Sequence, residues 1–173
     1  MAATKETTVT DIQPADAPRT AIVITVSTRA AGGIYTDRSG PVIEERLREW
    51  GFTPDAVIVA DGPAYADAIA EVLAGRPDLV VTTGGTGIGP KDLTPEMTRP
   101  HLDKELPGLE AQMVARGVAN GVPASVLSRS ACGVAGTTLV VNLPGSVGGV
   151  RDGLDVLADV VDHAVSQLRG GDH

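Results

Sequence analysis

Leu79-Val80-Val81-Thr82, running through Thr83 into Gly84-Gly85-Thr86-Gly87-Ile88-Gly89, is the stretch on which the fold turns. The first four residues form an apolar, β-branched run without polar alternation, the pattern of a strand covered on both faces in a parallel sheet. Glycines directly after such a strand have two uses. They make a tight strand-to-helix turn, or they let backbone N–H groups approach an anion closely at positive φ. Both uses place the loop at the carboxyl end of a buried strand.

The same grammar extends outward. Toward the N-terminus, Ala21-Ile22-Val23-Ile24-Thr25-Val26 and Ala56-Val57-Ile58-Val59 read as two more strands buried on both faces. Between them Ser39 can cap a helix with Ile43, Leu47 and Trp50 on one face and Gly51 at its end. A second helix follows Pro63, with Tyr65, Ile69, Val72 and Leu73 inward and Gly75 as its stop. Toward the C-terminus, Thr94-Pro95 suits an N-cap and first turn, and another helix runs from near Pro107 to Gly121. Residues 129–135 and 138–142 read as strands joined at Gly136, the second of them central. Leu154, Leu157, Val161, Ala164 and Leu168 predict one continuous final helix. Strands alternating with helices mean βαβ units and a three-layer α/β/α fold with a mostly parallel central sheet. Residues 20–173 are expected to form a single domain, preceded by a flexible tail at 1–19.

Composition agrees. The chain has 173 residues, 42% of them hydrophobic but only 2% aromatic, which suits a core of small aliphatic side chains between helices and sheet. A net charge of −8 argues against binding nucleic acid or an anionic membrane, both of which require a basic field. No apolar run approaches the roughly 20 residues of a membrane span, and the polar N-terminus lacks a signal-peptide core. With Cys132 as the single cysteine, no internal disulfide can form, and the expected location is cytoplasmic.

Ligands of open parallel sheets bind beyond the carboxyl ends of the strands. The residues just past each strand are Ser27-Thr28-Arg29 with Asp37, then Asp61-Gly62, the loop from Thr83 to Asp92, and Asn142-Leu143-Pro144-Gly145-Ser146. Two familiar phosphate motifs do not fit. A Walker A loop needs Lys directly after its closing glycine, where Pro90 stands, and Pro90 also fills the place of the third dinucleotide-fingerprint glycine. Asp61 and Asp92 are the candidate carboxylates for Mg²⁺, which takes few protein oxygens together with phosphate and water; each can equally be a turn residue. Ser27 and Ser146 can bond phosphate or cap the chain. Lys91 and Arg129 can supply positive charge or sit in surface ion pairs. His101, His163 and His173 lack metal-ligand spacing, and Cys132 reads as a small buried residue.

Thr83-Gly84-Gly85-Thr86-Gly87 with Asp92 and Thr94-Pro95-Glu96 closely resembles the TGGTG-x₄-D-x-TPE signature of the molybdopterin adenylyltransferases, the MogA/MoaB family, also found in the amino-terminal domain of gephyrin. The resemblance extends to Val26-Ser27-Thr28-Arg29, to Tyr35-Thr36-Asp37-Arg38-Ser39-Gly40-Pro41, to Leu127-Ser128-Arg129 and to Asn142-Leu143-Pro144-Gly145-Ser146. It implies a homotrimer that joins molybdopterin to Mg-ATP, releasing adenylylated molybdopterin and pyrophosphate, with a separate molybdate-insertion enzyme taking the product. It further implies that Asp92 and Asp61 are catalytic and hold Mg²⁺. Ser27, Thr83, Gly84, Gly85, Thr86, Gly87, Glu96, Pro144, Gly145 and Ser146 would bind nucleotide or pterin.

One departure stands out. Where MogA-type members usually carry Ser-Asp-Arg, this chain has Ser27-Thr28-Arg29, which is more MoaB-like. That favours an alternative from another class, a non-catalytic MoaB-like molybdopterin-binding or carrier protein. A scaffold role and a nucleotide pyrophosphatase are more distant alternatives.

Overall fold

The computed structural model of the protein describes residues 17–171. Most of the expected tail, at 1–16, and His173 therefore lie outside the described residues. Arg19, assigned to that tail by the sequence, instead opens the first strand.

In chain order the elements are β1 (Arg19–Val26), α1 (Thr28–Ala31), α2 (Ser39–Glu49), β2 (Phe52–Val59), α3 (Pro63–Ala74), β3 (Leu79–Thr83), α4 (Thr94–Thr98), β4 (Lys104–Glu105), α5 (Pro107–Ala119), β5 (Cys132–Ala135), β6 (Thr138–Leu143), α6 (Val147–Ala158) and α7 (Val161–Leu168). The six strands make one sheet in the order β2-β1-β3-β6-β5-β4. Its first four strands are parallel, with Ala21 opposite Leu79 and Leu79 opposite Leu139. The hairpin through Gly136 makes β5 antiparallel to β6, and β4 runs antiparallel to β5. The mostly parallel α/β architecture expected from the sequence is the one observed.

Alternation along the central strands divides the core between two faces. Ala21 and Val23, Leu79 and Val81, and Leu139, Val141 and Leu143 pack with Ile43 and Leu47 of α2, Met113 of α5, Leu154 and Leu157 of α6, and Val161 and Val165 of α7. Ile24, Val26, Val80 and Val140 face the other way, onto Tyr65 and Ile69 of α3. The buried Tyr65 hydroxyl shares a hydrogen bond of 2.6 Å with Thr98 Oγ1, which in turn donates to the Thr94 carbonyl at 2.7 Å. That bond ties α3 to α4 beneath the glycine loop.

Four expectations need correction. β2 is an edge strand: only Phe52 is fully buried, and Val57 and Ile58 are exposed. A β-branched run reads alike in a central and an edge strand, because the second face is decided by tertiary cover. The expected single final helix is two, α6 and α7, separated at Asp159–Val160. Their inward residues keep helical spacing across the break, so periodicity alone cannot show it. Ser39 does not cap α2; it is the first helical residue, and Asp37 Oδ1 accepts from the Ser39 and Gly40 amides at 2.9 and 3.1 Å. Thr94 likewise begins α4 without capping it, and its buried Oγ1 has no hydrogen-bond partner.

Far from the glycine loop, Arg169, just past α7, clamps the segment leading into β1. It meets Asp78 through Nε at 2.7 Å and Nη2 at 2.8 Å, and donates to the Ala17 carbonyl at 2.7 Å. Burial raises the Asp78 carboxyl, but hydrogen bonds from Arg169 and Thr20, with the Arg169 charge, outweigh it and hold the group below its usual range. A depressed carboxyl stabilises the fold above its unfolded pKa and loses that contribution as pH falls through the folded value. Arg169→Met is expected to cost about 3 kcal/mol at neutral pH, because it strands a buried carboxylate. In urea titrations that deficit should narrow as pH falls below the ordinary carboxylate range and through the depressed folded value of Asp78, where the wild type loses the ionised pair as well.

Candidate functional site

From β1 the chain turns toward β2, and from β3 it turns the opposite way, toward β6. The carboxyl ends of β1 and β3 are thus a topological switch point, where a crevice opens between departing loops.

Glycine is required here for a specific reason. Gly84 has φ 101°, and a Cβ on it would lie 2.2 Å from the Val26 carbonyl oxygen. Gly85 has φ 65°, and its Cβ would lie 2.2 Å from Thr94 Oγ1. The loop leaves β3 pressed against β1 on one side and α4 on the other. It is also joined to the loop after β6: Gly84 N donates to Leu143 O at 3.1 Å, and Thr83 Oγ1 donates to Pro144 O at 2.7 Å. Ser39 Oγ donates to Gly145 O at 3.0 Å, bringing α2 to the same seam. Thr83 and Pro144, expected as ligand contacts, spend these groups in holding the two loops together.

Both candidate carboxylates reach the crevice, and each is held by one oxygen. Asp92 Oδ2 accepts from Gly89 N at 2.9 Å, closing the glycine loop on itself. Asp61 Oδ2 accepts from Thr28 N at 2.9 Å and from Thr28 Oγ1 at 2.7 Å. The departure from Ser-Asp-Arg thus adds a hydroxyl donor, beside the backbone amide of residue 28, to an acid the sequence singled out. Among the described residues no three acidic, histidine or cysteine side chains form a metal cluster. Two half-buried carboxylates, each with a second oxygen that accepts no hydrogen bond among the described residues, fit Mg²⁺ as that ion is held beside phosphates.

Ser27 and Ser146 are both caps. Ser27 Oγ accepts from Ala30 N at 3.2 Å, and Ser146 Oγ accepts from Gly149 N at 3.1 Å. Each still has a hydroxyl proton to donate. Ser146 also places the positive end of the 12-residue α6 at the crevice.

Arg129 proves to be a brace. Its Nε donates to Gly87 O at 2.7 Å, its guanidinium reaches the Asp92 carbonyl, and it pairs with Glu96. Its amide donates to Thr86 O at 2.9 Å. Carbonyls of the glycine loop are thereby gathered on Arg129. Burial raises the Glu96 carboxyl, but the hydrogen bond and charge of Arg129, with a backbone hydrogen bond and the charge of Arg99, together outweigh it and lower the group. Glu96, expected as a ligand contact, is part of this brace, and Thr86 Oγ1 lies 3.4 Å from Ser128 Oγ.

Two cavities meet at this seam. One, of about 690 Å³, is lined by Ser27, Thr28, Asp61, Thr83 and Gly84, with Arg29, Arg38 and Lys91 supplying positive charge. The other, of about 820 Å³, is bounded by Thr86, Gly87, Met113, Val114, Leu127 and Ser128, with Asp152 and Arg151 at its side. Gly85, Asp92, Gly145 and Ser146 line both. The acidic chain therefore carries a pocket lined by charges of both signs, Arg29, Arg38 and Lys91 among Asp37, Asp61 and Asp92, beside a largely apolar one. Cys132 lies outside both; burial, with the Glu110 charge, pushes its thiol up to about 12, which leaves it unreactive.

Thr28 was placed on the rim by the sequence, but its hold on Asp61, the place of Arg38 and the bracing role of Arg129 were not assigned from it. Their signal is proximity across the sheet edge, which no spacing along the chain encodes. Asp37, noted as a rim residue, is committed to Thr25 Oγ1 at 2.7 Å and to the start of α2.

Residues 22–163 match the family described as "Probable molybdopterin binding domain". The chain is 35% identical over 156 residues to the molybdopterin adenylyltransferase of Helicobacter pylori, covering 86% of each. It is 39% identical over 158 residues to the molybdenum cofactor biosynthesis bifunctional protein of Chlorobaculum tepidum, using 90% of this chain but spanning only 50% of that protein. The solved structure of the molybdopterin biosynthesis Mog protein from Mycobacterium ulcerans superposes with a TM-score of 0.83 at 54% identity, covering 87% of this chain and 99% of that one.

Proposed function

The chain belongs to the molybdopterin-binding domain family, and on that premise we propose that it adenylylates molybdopterin at the seam between its two cavities. The observation that carries this reading is the sharing of Gly85, Asp92, Gly145 and Ser146 by a charge-lined pocket and a largely apolar one. A reaction joining two phosphate-bearing substrates needs two pockets and one shared point of contact.

In the proposed reaction an oxygen of the molybdopterin phosphate attacks the α-phosphorus of ATP. The new P–O bond forms as the bond to the β-phosphate bridging oxygen breaks, and pyrophosphate leaves with that electron pair. No protein nucleophile is needed; the chain's part is positioning and charge stabilisation. Gly85, Thr86 and Gly87 offer amides and a hydroxyl to phosphate oxygens, with Gly84 anchoring the loop through its bond to Leu143 O, while Arg129 holds that loop's carbonyls away. The α6 N-terminus at Ser146 and the side chains of Arg29, Arg38 and Lys91 offset negative charge. Asp61 and Asp92 would hold Mg²⁺ through their free oxygens; when bound, the ion neutralises phosphate charge. A homotrimer, a cytoplasmic location and hand-over to a molybdate-insertion enzyme belong to the same proposal. Among the described residues no helix is long and apolar enough to cross a membrane.

The test is incubation of the purified protein with molybdopterin and Mg-ATP, followed by mass analysis of the pterin. Adenylylated molybdopterin that disappears when Mg²⁺ is chelated is the expected result. Tight pterin binding without any adenylate would replace this reading with the carrier alternative.

A further inference from the structure

Thr28 stands at the first turn of α1, beside the end of β1, and reaches across to the loop after β2. Its backbone N–H and its hydroxyl both donate to one oxygen of Asp61, Oδ2, at 2.9 and 2.7 Å. The Asp61 amide returns a bond to Thr28 Oγ1 at 3.3 Å. The threonine is fixed in turn: Ser27 N donates to Val59 O at 2.8 Å, and Ser27 Oγ caps the short turn through Ala30 N at 3.2 Å. Two donors on one carboxylate oxygen leave little freedom at the Asp61 side-chain torsions, and they turn the other oxygen toward the glycine loop. Oδ1 lies 3.5 Å from the position a Cβ would take on Gly85, and Gly85 is one of the residues shared by both cavities.

We propose that Thr28 is a positioning residue that presents Asp61 to the divalent cation through Oδ1 alone. With Oδ2 occupied by two hydrogen bonds, Asp61 offers one oxygen, so the ion keeps coordination places for substrate phosphate and water, as Mg²⁺ prefers. Partners that orient a metal-binding carboxylate commonly change metal affinity by about 10- to 100-fold when removed. The departure from the Ser-Asp-Arg pattern is, on this account, a substitution that keeps Asp61 in service. The inference rests on the proposed adenylyl transfer for its purpose, and its test has a readout that does not depend on turnover.

Thr28→Val keeps the backbone donor and the side-chain shape but removes the hydroxyl, and Thr28→Ser restores the hydroxyl. The probe is Mn²⁺, followed by electron paramagnetic resonance as it binds the protein saturated with a non-hydrolysable ATP analogue. Thr28→Val should weaken Mn²⁺ binding by about tenfold and Thr28→Ser by less than about threefold. In turnover assays the Mg²⁺ concentration at half-maximal rate should rise in parallel, with the KM for molybdopterin unchanged. Equal Mn²⁺ affinity in the wild type and Thr28→Val overturns the proposal. A wild type that binds Mn²⁺ with the analogue yet forms no adenylylated pterin overturns the adenylyltransfer reading, while the Mn²⁺ comparison still decides the role of Thr28. Should Thr28→Val unfold, Thr28→Ala and Thr28→Ser measured on the same titration decide the question: equal affinities overturn it, and a loss confined to Ala supports it.

Discussion

Asp92→Asn should lower kcat for adenylyl transfer by about a hundredfold or more while leaving the fold intact, because the substitution separates two jobs that one carboxylate performs. The structural job is acceptance of the Gly89 amide by Oδ2 at 2.9 Å, which closes the glycine loop. An asparagine amide oxygen can accept that bond equally well. The chemical job is negative charge at the seam of the two cavities, and asparagine lacks it. Removing one well-placed electrostatic group from such a site typically costs 10²- to 10³-fold. Urea midpoints of variant and wild type should therefore agree closely, with the loss confined to turnover. Unchanged kinetics in the folded variant would remove Asp92 from the chemistry and return it to the role of a turn residue.

The largest structural effect is expected at Gly84. Alanine there must adopt φ 101° and place a Cβ 2.2 Å from the carbonyl oxygen of Val26. That oxygen belongs to a strand paired along its length with β2 and through Thr25 with β3, so it has little room to retreat. A non-glycine residue in an unfavourable positive-φ region costs about 1–3 kcal/mol before any clash, and the clash displaces either the loop or the strand. Gly84→Ala should therefore lose about 3 kcal/mol or more, or fail to accumulate as folded protein. Gly51→Ala is the control. Gly51 also has a positive φ, 79°, but a Cβ there meets nothing within 4 Å. Its cost should be only that of the backbone conformation, about 1–2 kcal/mol. Equal costs at the two positions would show that contact with β1 does not matter.

Much of the architecture was legible because its signals are local. Buried parallel strands such as Ile24 to Val26 and Leu79 to Val81 announce themselves as unbroken apolar runs, and Pro63 and Pro107 mark helix starts where they occur. What stayed hidden depended on neighbours. The run Ala56 to Val59 looks as buried as its companions, but among the described residues no strand pairs with the outer edge of β2. The apolar period through Leu154, Leu157, Val161 and Val165 continues over the break between α6 and α7, since both helices press the same face onto the sheet. Capping was misassigned at Ser39 because Asp37, two residues earlier, also has an oxygen in reach and takes the two amides first.

The crevice follows the same division. Topology alone assembled Ser27, Asp61, the glycine loop and the Pro144-Gly145-Ser146 turn on one rim, and the structure brings them together around two adjoining cavities. Finer roles were not readable. Glu96 and Arg129 are 33 positions apart and become a pair only when α4 and the segment before β5 close over the loop. Thr28 and Asp61 are also 33 positions apart, and nothing in their spacing implies that one holds the other. Long-range polar partners are set by the fold, whereas the fold itself is set mainly by short-range pattern.

The central claim is transfer of the adenylyl group from ATP to the pterin phosphate, and positional labelling tests it most directly. The protein is incubated with molybdopterin and Mg-ATP labelled at the α-phosphorus, and in parallel with ATP labelled at the γ-phosphorus. The account predicts α-label in adenylylated molybdopterin and γ-label in pyrophosphate, in equal amounts, with neither formed when molybdopterin is omitted. Release of α-label as free AMP without pterin, or retention of all label in ATP while pterin stays bound, would contradict it.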